Sequence, residues 1–507
     1  MLISDLIQSA DGIGCDLAFA SRLVVDNFGS SWEFAPAVRQ GLESELAGMF
    51  KRMCTPLKSA IEHQYSESGG MDLGAWMKAQ LPRCPVLDQA MGDQAQQLVD
   101  EFITVDKRLR TDELAMVAAG MMTPEPVLSA VCIASPDKHH GEHVLKLEFS
   151  KDSSVYYKPR SGAGAVLLQA LSKLVERWGL SLGAANVLAR DGYHWMGEVR
   201  YVRSCSLAEA RRFAHAGGVL YAVATALNAS DLHFENLIAT GDGPVVIDCE
   251  TMCQPRFSVH AAAYLLKRPR EEHDDVTSLF LNFDRYGGQD IDYGGLSCVD
   301  VHFRADPNAG IQVSLPWEQR QLVLHQSRSA VEVDGRRIAP AVEHFDEFAR
   351  GIREASGYLK AQRDGVLACI PPDAIFRVPL RATRVYGALI GERMSAICFP
   401  SYVKPRWSAH LEADLNDAPV GFRRAARSIF ELETVDLARL DIPAAYVQAR
   451  SRDLFLRDAR IEGVFDMSPV EVIEARLRGL SPSSVEDQIA KLSTRLTDGR
   501  LNAEQRT

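Results

Sequence analysis

The chain has 507 residues, 46% of them apolar and 24% charged, values of an ordinary globular protein large enough for two to four domains. A formal net charge of -11 argues against a general nucleic-acid binder, which needs a basic face to displace counterions. The longest apolar run, "AGGVLYAVATAL" (216–227), is far short of the about 20 residues of a membrane span, and the N-terminus lacks the basic region of a signal peptide. The ten cysteines follow no framework spacing, so free thiols in the cytoplasm are expected.

Residues 1–125 show apolar recurrence at helical period, as in "SELAGMFKRMCTPLKSAIEHQY". The pattern changes at "HVLKLEFSKDSSVYYKPR" (143–160), which alternates around a turn and predicts an antiparallel hairpin ending in Lys158. An amphipathic helix follows over 163–178. Residues 206–228 start with Ser206 and Glu209 at capping-box spacing and predict a buried helix. "KRPREEHDD" (267–275) and "NFDRYGGQDIDYGG" (282–295) read as surface loops. The last hundred residues return to helical periodicity.

The stretch "SDLHFENLIATGDGPVVIDCE" (230–250) is unusually polar for a segment between core elements. "LIAT" (237–240) and "PVVI" (244–247) predict a hairpin closed by the three residues Gly241-Asp242-Gly243. That register sets Asn236 opposite Asp248, with Cβ atoms about 4.5–5.5 Å apart. An amide oxygen beside a carboxylate suits Mg²⁺, which keeps several waters and phosphate oxygens. Asp231 precedes Asn236 by five positions, the separation of catalytic Asp and metal-binding Asn in a protein-kinase catalytic loop. Asp248 and the strand lysine Lys158 also fall in kinase order. Each residue alone reads as an ordinary turn or strand-end polar group; the ordered set favours a kinase-like site. There is no G-x-G-x-x-G ahead of Lys158, no H-R-D, and Asp-Cys-Glu stands where D-F-G would be. Cys249 and Cys253 lack partners at zinc spacing and read as core thiols.

With these residues in hand, the chain resembles the dehydratase region of the class II lanthipeptide synthetases, the LanM family. The matching pieces are "SPDKHHG" (135–141), "VYYKPRS" (155–161), "LNASDLHFENLIA" (227–239), "PVVIDCE" (244–250), "FRVPLRATRVY" (376–386) and "FELETVDLARLDIP" (430–443). Asp-x-His-x-x-Asn followed by Ile-Asp-x-Glu is the most specific of them.

The resemblance implies an α+β fold with a bilobal protein-kinase-like core: a helical region at 1–125, an N-lobe at 126–204, a C-lobe carrying the elimination site at 205–400, and a helical extension at 401–507. It implies a cytoplasmic enzyme that phosphorylates Ser and Thr of a leader-bearing precursor peptide with ATP and Mg²⁺. Phosphate is then eliminated, with ADP present, to leave dehydroalanine or dehydrobutyrine. Lys158, with Arg160 beside it as a cationic platform, would hold nucleotide phosphates. Asp231 and His233 would deprotonate the substrate hydroxyl, and Asn236 and Asp248 would bind Mg²⁺ with Glu250 in support. Asp137 and His139 match the family's Asp-x-His motif, although Glu142 stands where its second glycine is usual. Arg377 and Thr383 match its Arg-x5-Thr elimination pair, with Arg381 and Tyr386 completing the pattern. Three arginines in "RVPLRATR" could also be a solvated basic strand. The family's Cys-His zinc-cyclase motif is absent from this sequence, so ring closure would need a separate protein or be spontaneous, or the dehydro residues would be the end product or feed another enzyme. Two rivals are a kinase without elimination and an inactive peptide-binding partner.

Overall fold

The computed structural model describes residues 2–8, 17–64, 73–135, 137–150, 153–266, 280–281, 285–286, 289–290, 293–305, 321–399 and 409–504. Its chain is a mixture of helix and sheet, an α+β protein. Five N-terminal helices come first: α1 (Ile3–Gln8), α2 (Leu17–Phe28), α3 (Pro36–Gln64), α4 (Leu73–Gln80) and α5 (Pro85–Ala118). Then β1 (Leu128–Ile133), β2 (Leu145–Phe149), β3 (Ser153–Lys158), α6 (Ala163–Glu176), β4 (Val187–Arg190) and β5 (Tyr193–Gly197) build one antiparallel sheet of order β1-β2-β3-β5-β4. The expected hairpin is β2–β3, with Leu145 opposite Tyr157.

The sheet and the N-terminal helices share a core. Phe50 and Phe102 of the helices cluster with Leu145, Leu147, Tyr157 and Trp195 of the strands. One buried carboxylate fastens the two parts. Asp112 on α5 accepts from Arg190 Nε, the Tyr193 hydroxyl and Trp195 Nε1, each at 2.8 Å. Burial works to raise this carboxyl, and the three donors outweigh it, so its pKa lies below the usual range.

Below the sheet, α7 (Leu207–Ala226) starts with the predicted capping box: Glu209 N donates to Ser206 Oγ, and Ser206 N donates to Glu209. It packs along the helix Phe345–Ala361 at backbone contact. A Cβ on Gly218 would stand 2.0 Å from the Phe348 carbonyl oxygen, so only glycine fits there. The hairpin β6 (Leu237–Thr240) and β7 (Gly243–Val246) follows α7.

Its register differs from the expected one. Thr240 pairs with Gly243, so the turn is the two residues Gly241-Asp242. The Thr240 hydroxyl closes it by donating to the Gly243 carbonyl at 2.8 Å. Gly243, at φ 137°, lies so close to Ala216 that a Cβ would be 2.7 Å away, which places it in the strand. Asn236 therefore faces Ile247, whose N–H donates to its carbonyl at 2.9 Å. Asp248 lies one residue past the position opposite Asn236.

The C-terminal part also departs from the all-helical expectation. Ala445–Gln448, Leu454–Leu456 and Ala459–Ile461 are strands that join Ile375–Val378 in a four-stranded antiparallel sheet. Runs of three or four residues are too short to show a period of two. The stretch 267–275 lies outside the described residues, and only parts of 282–295 fall within them. No described helix is long and apolar enough to cross a membrane.

Candidate active site

Three elements converge where β3 ends. Lys158, the last residue of β3, is buried and its ammonium donates to the Ile247 carbonyl at 2.6 Å, one residue before Asp248. The chain turns at once after it, with Arg160 N–H donating to Lys158 O at 2.9 Å. His194, opposite Lys158 across the β3–β5 pair, donates from Nδ1 to the Arg160 carbonyl at 2.9 Å. Burial, then the Lys158 charge, pull its pKa down to about 4, so it is neutral at pH 7. Helix α6 begins against the same segment. A Cβ on Gly164 would stand 1.8 Å from the Cys249 carbonyl oxygen, which makes glycine obligatory for that approach.

The loop after α7 supplies the second element. Asp231 takes the left-handed conformation at φ 61°, which an aspartate tolerates better than most residues. Asn236 Nδ2 donates to the Asp231 carbonyl at 2.8 Å, fixing the amide with Oδ1 left as its acceptor end. His233 Nε2 stands 3.8 Å from Asp231 Oδ1, and its Nδ1 3.7 Å from Glu235. Desolvation raises the Asp231 pKa, opposed by His233 and reinforced by Asp248.

The third element is cationic. Arg377 lies in the strand Ile375–Val378, opposite Tyr446, and its N–H donates to the Glu250 carbonyl at 3.0 Å. Its guanidinium pairs with Glu250 Oε1, while Arg160 Nη1 lies 2.8 Å from Glu250 Oε2. Burial opposes ionisation of Glu250, but the two arginines prevail and hold its pKa at about 2. Glu250 was expected beside a metal; here its carboxylate is engaged by two guanidinium groups.

Asp137 and His139 sit in the turn between β1 and β2. His139 Nδ1 donates to the Ile442 carbonyl at 2.8 Å, and burial, with Arg377 and Arg160 nearby, lowers its pKa well below the ordinary value. Desolvation raises the Asp137 pKa, and Arg377 and Arg160 pull it back. Both residues thus sense the same two arginines. Thr383 begins the helix Thr383–Cys398 and is exposed.

Arg381 and Tyr386 belong elsewhere. Arg381 donates to Glu433 at 3.0 Å and to Asp414 at 2.6 Å and lies 5.6 Å over the Tyr264 ring, while the Tyr386 hydroxyl donates to Glu433 at 2.5 Å. Cys249 and Cys253 are buried thiols, and burial pushes Cys249 up to about 12. Among the described residues no three His, Cys, Asp or Glu side chains gather into a metal-binding group. His194 and Tyr446 were missed in the sequence; a lone His or Tyr in a short strand carries no signal, since only pairing brings each to the site.

Residues 84–448, well over half of the chain, match a family described as a domain of unknown function, DUF4135. The chain belongs to the DUF4135 family. Among curated proteins, this DUF4135 chain is similar to the lacticin 481/lactococcin biosynthesis protein LcnDR2 of Lactococcus lactis subsp. lactis, at 27% identity over 200 residues. The match takes in 38% of this chain and 22% of LcnDR2.

Proposed function

We propose that this DUF4135 protein is a lanthipeptide-type peptide dehydratase: it phosphorylates Ser and Thr of a precursor peptide and then eliminates the phosphate. The observation that carries this reading is the convergence of Lys158, beside Asp248, with the Arg160–Glu250–Arg377 group, so that cations suited to phosphate stand among carboxylates. The similarity to a lacticin 481 biosynthesis protein supports it independently. The sheet carrying Lys158 on its third strand, followed by α6, has the order of a kinase small lobe, and α7 with the hairpin β6–β7 that of a large lobe. We take the boundaries as 1–125, 126–204, 205–400 and 401–507, with short strands included in the last part.

The residues present fit Mg²⁺ and ATP. Asn236 Oδ1 and the Asp248 carboxylate are hard oxygen donors, and Lys158 can pair with phosphates. When bound, Mg·ATP supplies the phosphoryl group and neutralises its charge. Asp231 accepts the proton of the substrate hydroxyl, a role suited to a carboxyl raised above its usual range, and His233 orients it. In the second half-reaction the Cα–H proton leaves to a base, its electron pair forms the C=C bond, and the Cβ–O bond breaks toward phosphate. Arg377 grips the departing phosphate, and the exposed Thr383 hydroxyl adds a donor.

A second reading, a kinase that stops at the phosphopeptide, draws on the Arg377–Glu250 pair, which occupies the guanidinium. Mass spectrometry separates the two. Incubation with ATP, Mg²⁺ and Ser/Thr-rich candidate peptides, sought among the reading frames beside this gene, should remove about 18 Da per site; a gain of about 80 Da favours the kinase. Asp248→Ala should abolish both mass changes, because Mg²⁺ loses its anionic ligand; modification at the wild-type rate in that variant refutes the site.

A further inference from the structure

Two guanidinium groups share one carboxylate between the end of β3 and the strand Ile375–Val378. The side chains are mostly enclosed, with relative exposures of 11% for Arg160, 10% for Glu250 and 14% for Arg377. The triad thus has one positive charge more than it has negative, in surroundings that strengthen electrostatic attraction. Arg160 also keeps a buried Nε that has no hydrogen-bond acceptor. The groups facing the triad include the carboxylates Asp137, Asp231 and Asp248, together with His139, Tyr446 and Lys158.

The backbone aims Arg160 at this place and not along β3 beside Lys158. Its N–H is tied to Lys158 O and its carbonyl to His194 Nδ1, so the peptide units on both sides of its Cα are held. Arg377 is held likewise, by its N–H to Glu250 O and by Gln254 Nε2 donating to its own carbonyl at 2.8 Å. Two arginines on pinned backbones, 217 positions apart in the sequence, meet around one anion.

We infer that Arg160 and Arg377 are the two halves of a single phosphate clamp, with the Glu250 carboxylate as its resting counter-anion, and that Arg160 serves the elimination half-reaction by gripping the leaving phosphate. The inference rests on the dehydratase reading and moves Arg160 from the nucleotide to the phosphopeptide. Two guanidinium forks match a phosphate dianion better than one, because each offers paired N–H donors in a plane. Glu250 stays ionised throughout, so the α-proton goes to another base. As phosphate arrives, Glu250 yields part of its contacts, and as phosphate departs it reclaims them, which helps release the product. The triad is then closed on itself between turnovers.

The test is calorimetric titration of inorganic phosphate into the full chain without nucleotide. Glu250→Gln should bind phosphate about tenfold more tightly than wild type, since both forks are released. Arg160→Gln and Arg377→Gln should each bind it about tenfold more weakly, and Arg160→Lys, which keeps the charge and most of the packing, should fall between. Lys158→Gln, whose ammonium rests on the Ile247 carbonyl and not on Glu250, should weaken phosphate binding less than Arg160→Gln does. Wild-type affinity in Arg160→Gln, no gain in Glu250→Gln, or a loss confined to Lys158→Gln overturns the clamp. The peptide assay separates this outcome from failure of the dehydratase reading. Normal dehydration by Arg160→Gln sinks the clamp alone; intact phosphate behaviour with no peptide dehydration in wild type sinks the function alone.

Discussion

Arg377 and Arg381 lie four residues apart, both mostly enclosed and both paired with acids, yet their surroundings are opposites. Arg381 answers two carboxylates, Glu433 and Asp414, and stacks over Tyr264, so its charge is spent on the scaffold. Around Arg377 the proportion is reversed, with Arg160 and Arg377 sharing Glu250. Under the proposed reading, an arginine with two acid partners has nothing left to offer a phosphate, whereas two arginines that share one acid partner have donors to turn toward a second anion. The proportion of direct partners, more than the presence of an arginine, separates the two.

The largest effect should follow from breaking the scaffold cluster. Arg381→Met leaves Glu433, which is fully buried, without its cation, and should cost about 3–5 kcal/mol in a urea melt. A loss under about 1 kcal/mol would erase the distinction between the two arginines. Arg377→Gln should cost less, roughly 1–3 kcal/mol, because Arg160 still pairs with Glu250; equal losses in both variants would make Arg377 a scaffold residue too.

Acid sensitivity sharpens the contrast. With its pKa held at about 2 against an ordinary 4.5, Glu250 contributes stability that is fully present above pH 4.5 and is lost as pH falls toward 2. Glu250→Gln should flatten the melting temperature across that window, and an unchanged acid slope would show that the triad is not the source. The smallest effect concerns Glu142, in the same turn as His139. Burial and then Glu101 raise its pKa to about 7, with Arg108 3.8 Å away in partial compensation. A raised carboxyl favours the folded state at low pH, and this benefit fades as pH rises from 4.5 to 7. Glu142→Gln should therefore melt about 2 °C higher than wild type at pH 8, with the gap closing by pH 4. A lower melting temperature at pH 8 would show that Arg108 dominates the site.

Much of this arrangement was legible in the residues themselves. The Ser206–Glu209 box, the β2–β3 hairpin and the position of Lys158 follow from local rules, which depend on neighbours a few residues away. The one-residue error in the β6–β7 register came from Gly241-Asp242-Gly243, which allows a two- or three-residue turn; the Thr240 hydroxyl and the tight seat of Gly243 on Ala216 decide between them. Motifs also marked Arg160, Glu250 and Arg377 separately, but nothing local says that they touch. Their meeting depends on the Ile375–Val378 strand pairing with Ala445–Gln448, and such short strands carry no periodicity. The segment "RVPLRATR" likewise hides which arginine belongs to the scaffold.

The central claim, that this protein both phosphorylates and eliminates, is tested most directly by the mass of one peptide treated with wild type and with Arg377→Gln under ATP and Mg²⁺. Wild type should yield peptide lighter by about 18 Da per modified residue, and the variant should accumulate peptide heavier by about 80 Da. Full dehydration by the variant, or a peptide left unchanged by wild type, would contradict it.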